Sequence, residues 1–183
     1  MSGIHLHIIA EGQTEQQFVL KVLAPHLAHY HVYADARCIL TSKDKHTGRQ
    51  SRGGLPNYIK AKNDIQRWLK EDSRKNCRFS TMFDLYALPN DFPDFAQAKS
   101  YSDPYQKISC LEAALVQDIG DSRFIPYIQL HEFEALILAD ARKLDWEYFE
   151  HEAAIDSLVE MVGDTCPELI NDGAETAPSK RIL

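Results

Sequence analysis

Residues 4–15, IHLHIIAEGQTE, leave a chain few choices. Ile4, Leu6, Ile8, Ile9 and Ala10 make a short, β-branched apolar run of the kind found in a buried strand. Glu11 and Gly12 close that run, and Thr14 followed by Gln17 has the spacing of a capping box, which predicts a helix from about Thr14. Phe18, Val19, Val22, Leu23 and Leu27 then fall on one helical stripe, suited to packing on a sheet. A strand, a tight turn and a covering helix form the opening unit of an α/β fold. Glu11 at the strand's carboxyl end and Glu15 in the first helical turn lie on the edge where open α/β sheets bind ligands. An isolated pair of this spacing also suits a solvated turn and the positive end of a helix dipole. The remaining chain must therefore decide its meaning.

The strand–helix alternation repeats. Residues 30–40 predict a second strand, and residues 41–54 (TSKDKHTGRQSRGG) a long polar loop carrying Lys43, Lys45, Arg49 and Arg52. Pro56 suits the first turn of a helix with Tyr58, Ile59, Ile65, Trp68 and Leu69 on one side, and Lys60, Lys62, Arg67 and Lys70 on the other. Residues 78–88 predict a third strand, in which Asp84 falls late, followed by a proline-punctuated turn over residues 89–95 with Asp91 and Asp94. A helix is predicted over residues 104–119, and a fourth strand over residues 123–130, demoted to an edge or bulged strand by Pro126. It leads into HEFEALILAD, where His131, Glu132 and Glu134 sit at a strand-to-helix junction. Helical stretches follow at residues 152–162 and 167–170. The pattern is that of an α/β fold with a mostly parallel central sheet of about four strands and helices on both faces.

At 183 residues, 44% hydrophobic and 26% charged, the chain is sized and composed for one globular domain over residues 1–183. Residues from about 145 to 183 form an acidic helical C-terminal extension of it. No apolar run approaches the roughly 20 residues that span a bilayer, and no signal-like segment precedes the first strand, so a cytoplasmic location without membrane contact is expected. Cys38, Cys77, Cys110 and Cys166 lack metal-site or framework spacing and are read as reduced, structural thiols. The net charge of −7 conceals a division: residues 37–78 hold 12 Lys+Arg against 4 Asp+Glu, and the rest is strongly acidic. A basic segment beside clustered acids suits a metal-using enzyme with a polyanionic substrate, and equally two oppositely charged solvated faces.

Three of the four predicted strands end in acids: Glu11 with Glu15, Asp84 with Asp91, and Glu132 with Glu134 beside His131. A parallel sheet brings its strand carboxyl ends to one edge, where converging carboxylates repel unless a cation sits among them. Hard oxygen donors select Mg²⁺ or Mn²⁺. Two such ions roughly 4 Å apart stabilise the attacking and leaving oxygens of a phosphoryl displacement. Rival chemistries lack their motifs. The chain has no GxSxG, GxGxxG or GxxxxGK, and its Ser42-Lys43-Asp44-Lys45 lies in a polar loop rather than at a helix start. His5 and His7 share a strand face and are read as packing rather than as ligands.

EGQTE, FDLYALPNDFP and HEFEAL together resemble an uncharacterised bacterial Toprim-like family (domain of unknown function family 4276), over nearly the whole chain. That family is distantly similar to the Toprim domains of nucleases of the overcoming-lysogenization-defect (OLD) type. The resemblance implies a metal-binding α/β domain, with Glu11 and Glu15 matching a Glu-x-x-x-Glu after the first strand. Asp84 matches the first position of the Toprim Asp-x-Asp; Tyr86 stands at the second, and Asp91 or Glu134 is the substitute. Lys180 matches a late lysine. Members are often encoded beside an ATPase, in pairs suspected of anti-phage defence.

The expectation is therefore a Mg²⁺- or Mn²⁺-dependent phosphodiesterase acting on DNA or RNA. Glu11, Asp84, His131 and Lys180 are its catalytic candidates. Glu11, Glu15 and Asp84 are the leading metal ligands, with Asp91, Glu132 and Glu134 behind them. Lys43, Lys45, Arg49 and Arg52 would hold the phosphate backbone. The alternative is a non-catalytic Toprim-like module that binds a partner ATPase and keeps a degenerate metal site. Either form allows a homodimer.

Overall fold

The computed structural model describes residues 3–43, 50–52 and 54–170, and for residues 41–43 and 50–52 the backbone only. It divides into two compact units, Met1–Ile128 and Gln129–Leu183. In chain order the first unit begins with β1 (Ile4–Ala10), α1 (Gln13–Phe18), a π-helical turn (Val19–Leu23) and α2 (Ala24–Ala28). Next come β2 (Val32–Cys38), β3 (Leu40–Lys43), β4 (Gln50–Arg52), α3 (Tyr58–Glu71) and β5 (Cys77–Asp84). A 3₁₀ turn (Leu85–Ala87), α4 (Phe95–Ala98), α5 (Pro104–Ile119) and the short β6 (Ile128–Gln129) complete it.

The fold is α/β, built on a four-stranded parallel sheet in the order β2-β1-β5-β6. β1 lies between β2 and β5, in register Ile9↔Arg37 and Ile9↔Thr81. Strand side chains alternate between faces, so His7 and Ile9 point one way and Ile8 and Ala10 the other. On the first face α3 and α5 cover the sheet. Ile9, Phe79 and Phe83 there pack in one core with Ile65, Trp68, Leu111 and Leu115. Burying a leucine of that kind stabilises the fold by about 1.5–3 kcal/mol. On the second face the first helical segment packs over β2, where Gln16 donates its amide N–H to the Ala36 carbonyl at 3.0 Å.

α5 occupies the predicted span because its ends are written locally. Asp103 accepts the Tyr105 N–H at 2.9 Å, Pro104 opens the helix, and Gly120 closes it with φ +68. Elsewhere the structure departs from the sequence expectation. The helix after β1 starts at Gln13 rather than Thr14, and Glu15, not Gln17, makes the reach-back bond of the cap. The π-helical turn also rotates the predicted stripe: Val19 is buried but Val22 is 55% exposed. The polar segment read as a long loop holds an antiparallel pair, β3 with β4, in register Leu40↔Arg52. Pro56 precedes the cap of α3 instead of opening it. Asn57 is the cap residue and accepts the Lys60 N–H at 3.2 Å. The fourth strand shrinks to Ile128–Gln129 plus one bridge between Phe79 and Phe124, the outcome foreshadowed by Pro126.

In the second unit, a 3₁₀-helical stretch (Phe133–Trp146) breaks at Asp140 (φ −151, ψ 72). It is followed by α6 (Glu152–Val162), as predicted, and a 3₁₀ turn (Pro167–Leu169). Leu138, Ala141, Leu158, Val162 and Ile170 form a small core of their own. No helix among the described residues is long and apolar enough to cross a membrane. The four cysteines are all thiols.

Candidate functional site

β1 delivers Glu11 to the carboxyl edge of the sheet, where three segments meet on it. The Glu11 N–H donates to the Met82 carbonyl at 3.0 Å, extending the ladder with β5. The Asp84 N–H, at the last residue of β5, donates to Glu11 Oε2 at 3.2 Å. The Gly54 N–H, just beyond β4, donates to the Glu11 carbonyl at 2.8 Å. Glu11 thus ties the end of β1 to the end of β5 and to the root of the basic hairpin.

Burial is the main reason that the Glu11 carboxyl is pushed up to about 7 from its ordinary 4.5; the Asp84 N–H works against that rise, and the Glu15 charge adds to it. Glu15 itself is 8% exposed and accepts the Gly12 N–H at 2.8 Å, capping α1. Glycine at position 12 makes this possible by close approach: a Cβ there would lie 2.9 Å from Glu15 Oε2. The site therefore holds two glutamates of unlike duty. Glu15 is committed to the helix start, and Glu11 carries the cost of burial.

The other sequence candidates separate. Asp84 is half-buried at the end of β5, in the predicted position, while Tyr86 is 48% exposed in the 3₁₀ turn beyond it. Asp91 has turned to the start of α3, where both its carboxylate oxygens lie 3.1 Å from the Tyr58 N–H. His131, Glu132 and Glu134 belong to the second unit; His131 has φ +61, and Glu132 precedes the 3₁₀ stretch that holds Glu134 in its first turn. Lys43 lies on β3 and Arg52 on β4, with their side chains outside the description. Lys45, Arg49 and Lys180 lie outside the described residues. Two of the α3 cations are engaged at home: Lys62 pairs with Asp118 at 2.8 Å and Arg67 with Asp64 at 2.9 Å.

A second polar cluster on β1 lay hidden in the sequence. His7, 7% exposed, has Nδ1 2.6 Å from Asp35 Oδ1 on β2 and Nε2 2.8 Å from Asp72 Oδ2 just after α3. Arg74 grips the same Asp72 through Nε and Nη2, and holds its carboxyl well below the usual carboxylate range. Cys77, at the start of β5, completes the group, its thiol pushed up chiefly by burial. A histidine inside an apolar strand must find polar partners. That was the one available signal, but partners 28 and 65 residues away could not be named from it. Among the described residues, His7, Asp72 and Cys77 are the one trio of His, Cys, Asp or Glu whose ligand atoms all fall within 4.8 Å of one another. Glu11, Glu15 and Asp84 do not meet that distance.

The family described as Domain of unknown function (DUF4276) matches residues 10–183. No curated protein and no solved structure matches the chain.

Proposed function

The chain belongs to the DUF4276 family, and we propose that it is a Toprim-like phosphodiesterase that uses Mg²⁺ or Mn²⁺ to cleave DNA or RNA. The observation that carries this reading is the half-buried Glu11 carboxylate at the sheet's carboxyl edge, hydrogen-bonded to the end of β5 and raised to about 7. A carboxyl so placed gains from a cation that replaces its proton. The donor set also fits: Glu11, Asp84 and the second carboxylate oxygen of Glu15 are hard oxygen ligands suited to Mg²⁺ or Mn²⁺. When bound, the ion would neutralise charge developing on a phosphoryl oxygen. Gly54, just beyond β4, bonds to the Glu11 carbonyl, and Lys43, Lys45, Arg49 and Arg52, in the basic segment before it, are the candidates to hold the phosphate backbone on sequence grounds. His131, Glu132, Glu134 and Lys180 are candidates on sequence grounds alone.

The test is cleavage of a panel of single- and double-stranded DNA and RNA by the full chain, with Mg²⁺ or Mn²⁺ added. Activity should appear with metal and fall at least about a hundredfold in Glu11→Ala and Asp84→Asn. Equal behaviour of wild type and Glu11→Ala sinks the catalytic reading.

Two observations favour a second reading, a non-catalytic module that binds a partner ATPase. Tyr86 occupies the position of a second acid, and one Glu15 oxygen is spent on the helix cap. Thermal melting during metal titration separates the two. A working site should stabilise the fold by ~2.7 kcal/mol at a hundredfold excess of metal over its dissociation constant. A stabilisation that persists in Glu11→Ala would favour the inert module.

A further inference from the structure

We propose that His7, Asp72 and Cys77 form a second metal site, distinct from the carboxylate edge and selective for zinc-class ions over Mg²⁺. The trio offers one nitrogen, one oxygen and one sulfur within 4.8 Å of one another. Tetrahedral zinc with bonds of about 2.0–2.3 Å sets its ligands roughly 3.3–3.8 Å apart, so a closure of about an ångström suffices. Imidazole and thiolate select zinc and its neighbours, where Glu11 and Asp84 select hard ions.

The surroundings are those of a supported ligand set. Asp35 holds His7 Nδ1 at 2.6 Å, which orients the ring and leaves Nε2 aimed at Asp72. A carboxylate behind a histidine is the usual support of a histidine ligand. An open cleft whose lining includes His7, Arg37, Glu71, Asp72 and Arg74 gives the ion a path from solvent to His7 and Asp72, and the buried Cys77 backs the site from within. Glu11 lies four positions beyond His7, about 13 Å along the strand, so the two sites are independent.

At present Arg74 holds the place of the cation. Its guanidinium binds both Asp72 oxygens, while its side chain is 53% exposed and free to swing into the cleft. Metal entry displaces that guanidinium, the thiol proton of Cys77 and any proton on His7 Nε2. The same side chain therefore supplies the sharpest check. If Asp72 serves a metal, removing Arg74 tightens binding; if the cluster is only an ion-pair knot, removing Arg74 creates no affinity.

Cobalt(II) titration of the chelator-treated full chain, followed by absorption, provides the test. One equivalent should produce a thiolate-to-cobalt charge-transfer band with tetrahedral d–d bands, and Zn²⁺ but not Mg²⁺ should displace it. Cys77→Ser should remove the charge-transfer band. Arg74→Gln should tighten binding about tenfold, and Glu11→Gln should leave the spectrum unchanged. Should Cys77→Ser fail to fold by circular dichroism, Asp72→Asn takes its place, with the band kept and affinity reduced at least tenfold. Absence of the band in wild type, its survival in folded Cys77→Ser, its loss in Glu11→Gln, or unchanged affinity in both Arg74→Gln and Asp72→Asn would each overturn the proposal.

Discussion

Glu11, just past the end of β1, and Asp72, at the end of α3, are carboxylates whose surroundings drive them in opposite directions. Asp72 sits against Arg74 and His7 and is held strongly ionised. Glu11 is buried near another carboxylate, and its proton is retained up to about 7. The difference lies in what the neighbours supply. Around Asp72 the chain furnishes its own cation, Arg74, and a hydrogen-bonding imidazole, so without a metal the cluster works as a cross-link between β1, β2 and the end of α3. Around Glu11 the chain furnishes a backbone N–H and a like charge, an arrangement that favours an added cation. One region already holds a cation of the chain's own, which a metal must displace, and the other holds a proton, which a metal would replace.

The largest test of this contrast is His7→Ala. Removing the imidazole takes one partner from Asp72, which keeps Arg74, and opens a gap against Trp68 and Phe79, whose rings lie 4.7 and 4.9 Å from that of His7. Losing a buried hydrogen bond and leaving that gap costs about 2–4 kcal/mol, to be read by urea denaturation at pH 7. A loss below about 1 kcal/mol would mean that the cluster is not a cross-link.

Next in size is Glu11→Gln, whose effect depends on pH. The folded-state pKa lies above the unfolded value, so the native chain holds a proton that the unfolded chain has lost. Stability is therefore complete below about pH 4 and declines as pH rises through about 7. A rise from 4.5 to about 7 corresponds to about 3 kcal/mol. Glu11→Gln should thus match wild type near pH 4 and exceed it by up to about 3 kcal/mol at pH 8.5, by chemical denaturation. Added Mg²⁺ should narrow that gap by stabilising wild type alone. A difference that does not change with pH would show that Glu11 is not strained by its charge.

Glu15→Ala should have the smallest effect. It removes the acceptor of the Gly12 N–H and costs about 1 kcal/mol, as cap losses do. It also removes the charge that helps to raise Glu11, so the Glu11 transition should move to lower pH in the same titrations. An unchanged transition would argue that burial alone sets it.

Local signals made part of this fold readable. β1 announced itself by β-branched residues, and α5 and α6 match their predicted spans; the Asp103 and Gly120 caps show why α5 begins and ends where it does. Glu11 and Asp84 were legible as a pair because parallel topology brings strand ends together, whichever helices intervene. The β3–β4 pair was not legible, since its residues are polar and its support is pairing across a gap in sequence. Nor was the rotation of the stripe by the π-helical turn, which moved Val22 outward without any local breaker to mark it. Asp91 looked like a site acid by position and became a partner of the Tyr58 N–H by folding.

By itself, then, the sequence determined the order of strands and helices, the parallel sheet and the arrival of acids at its carboxyl edge. Periodicity, caps and chain direction are local properties that survive any detail of packing. Tertiary structure alone decided what each acid does there. A carboxylate's state is set by burial and by the charges that distant segments bring against it, and Asp35, Asp72 and Asp84 reach β1 from far along the chain.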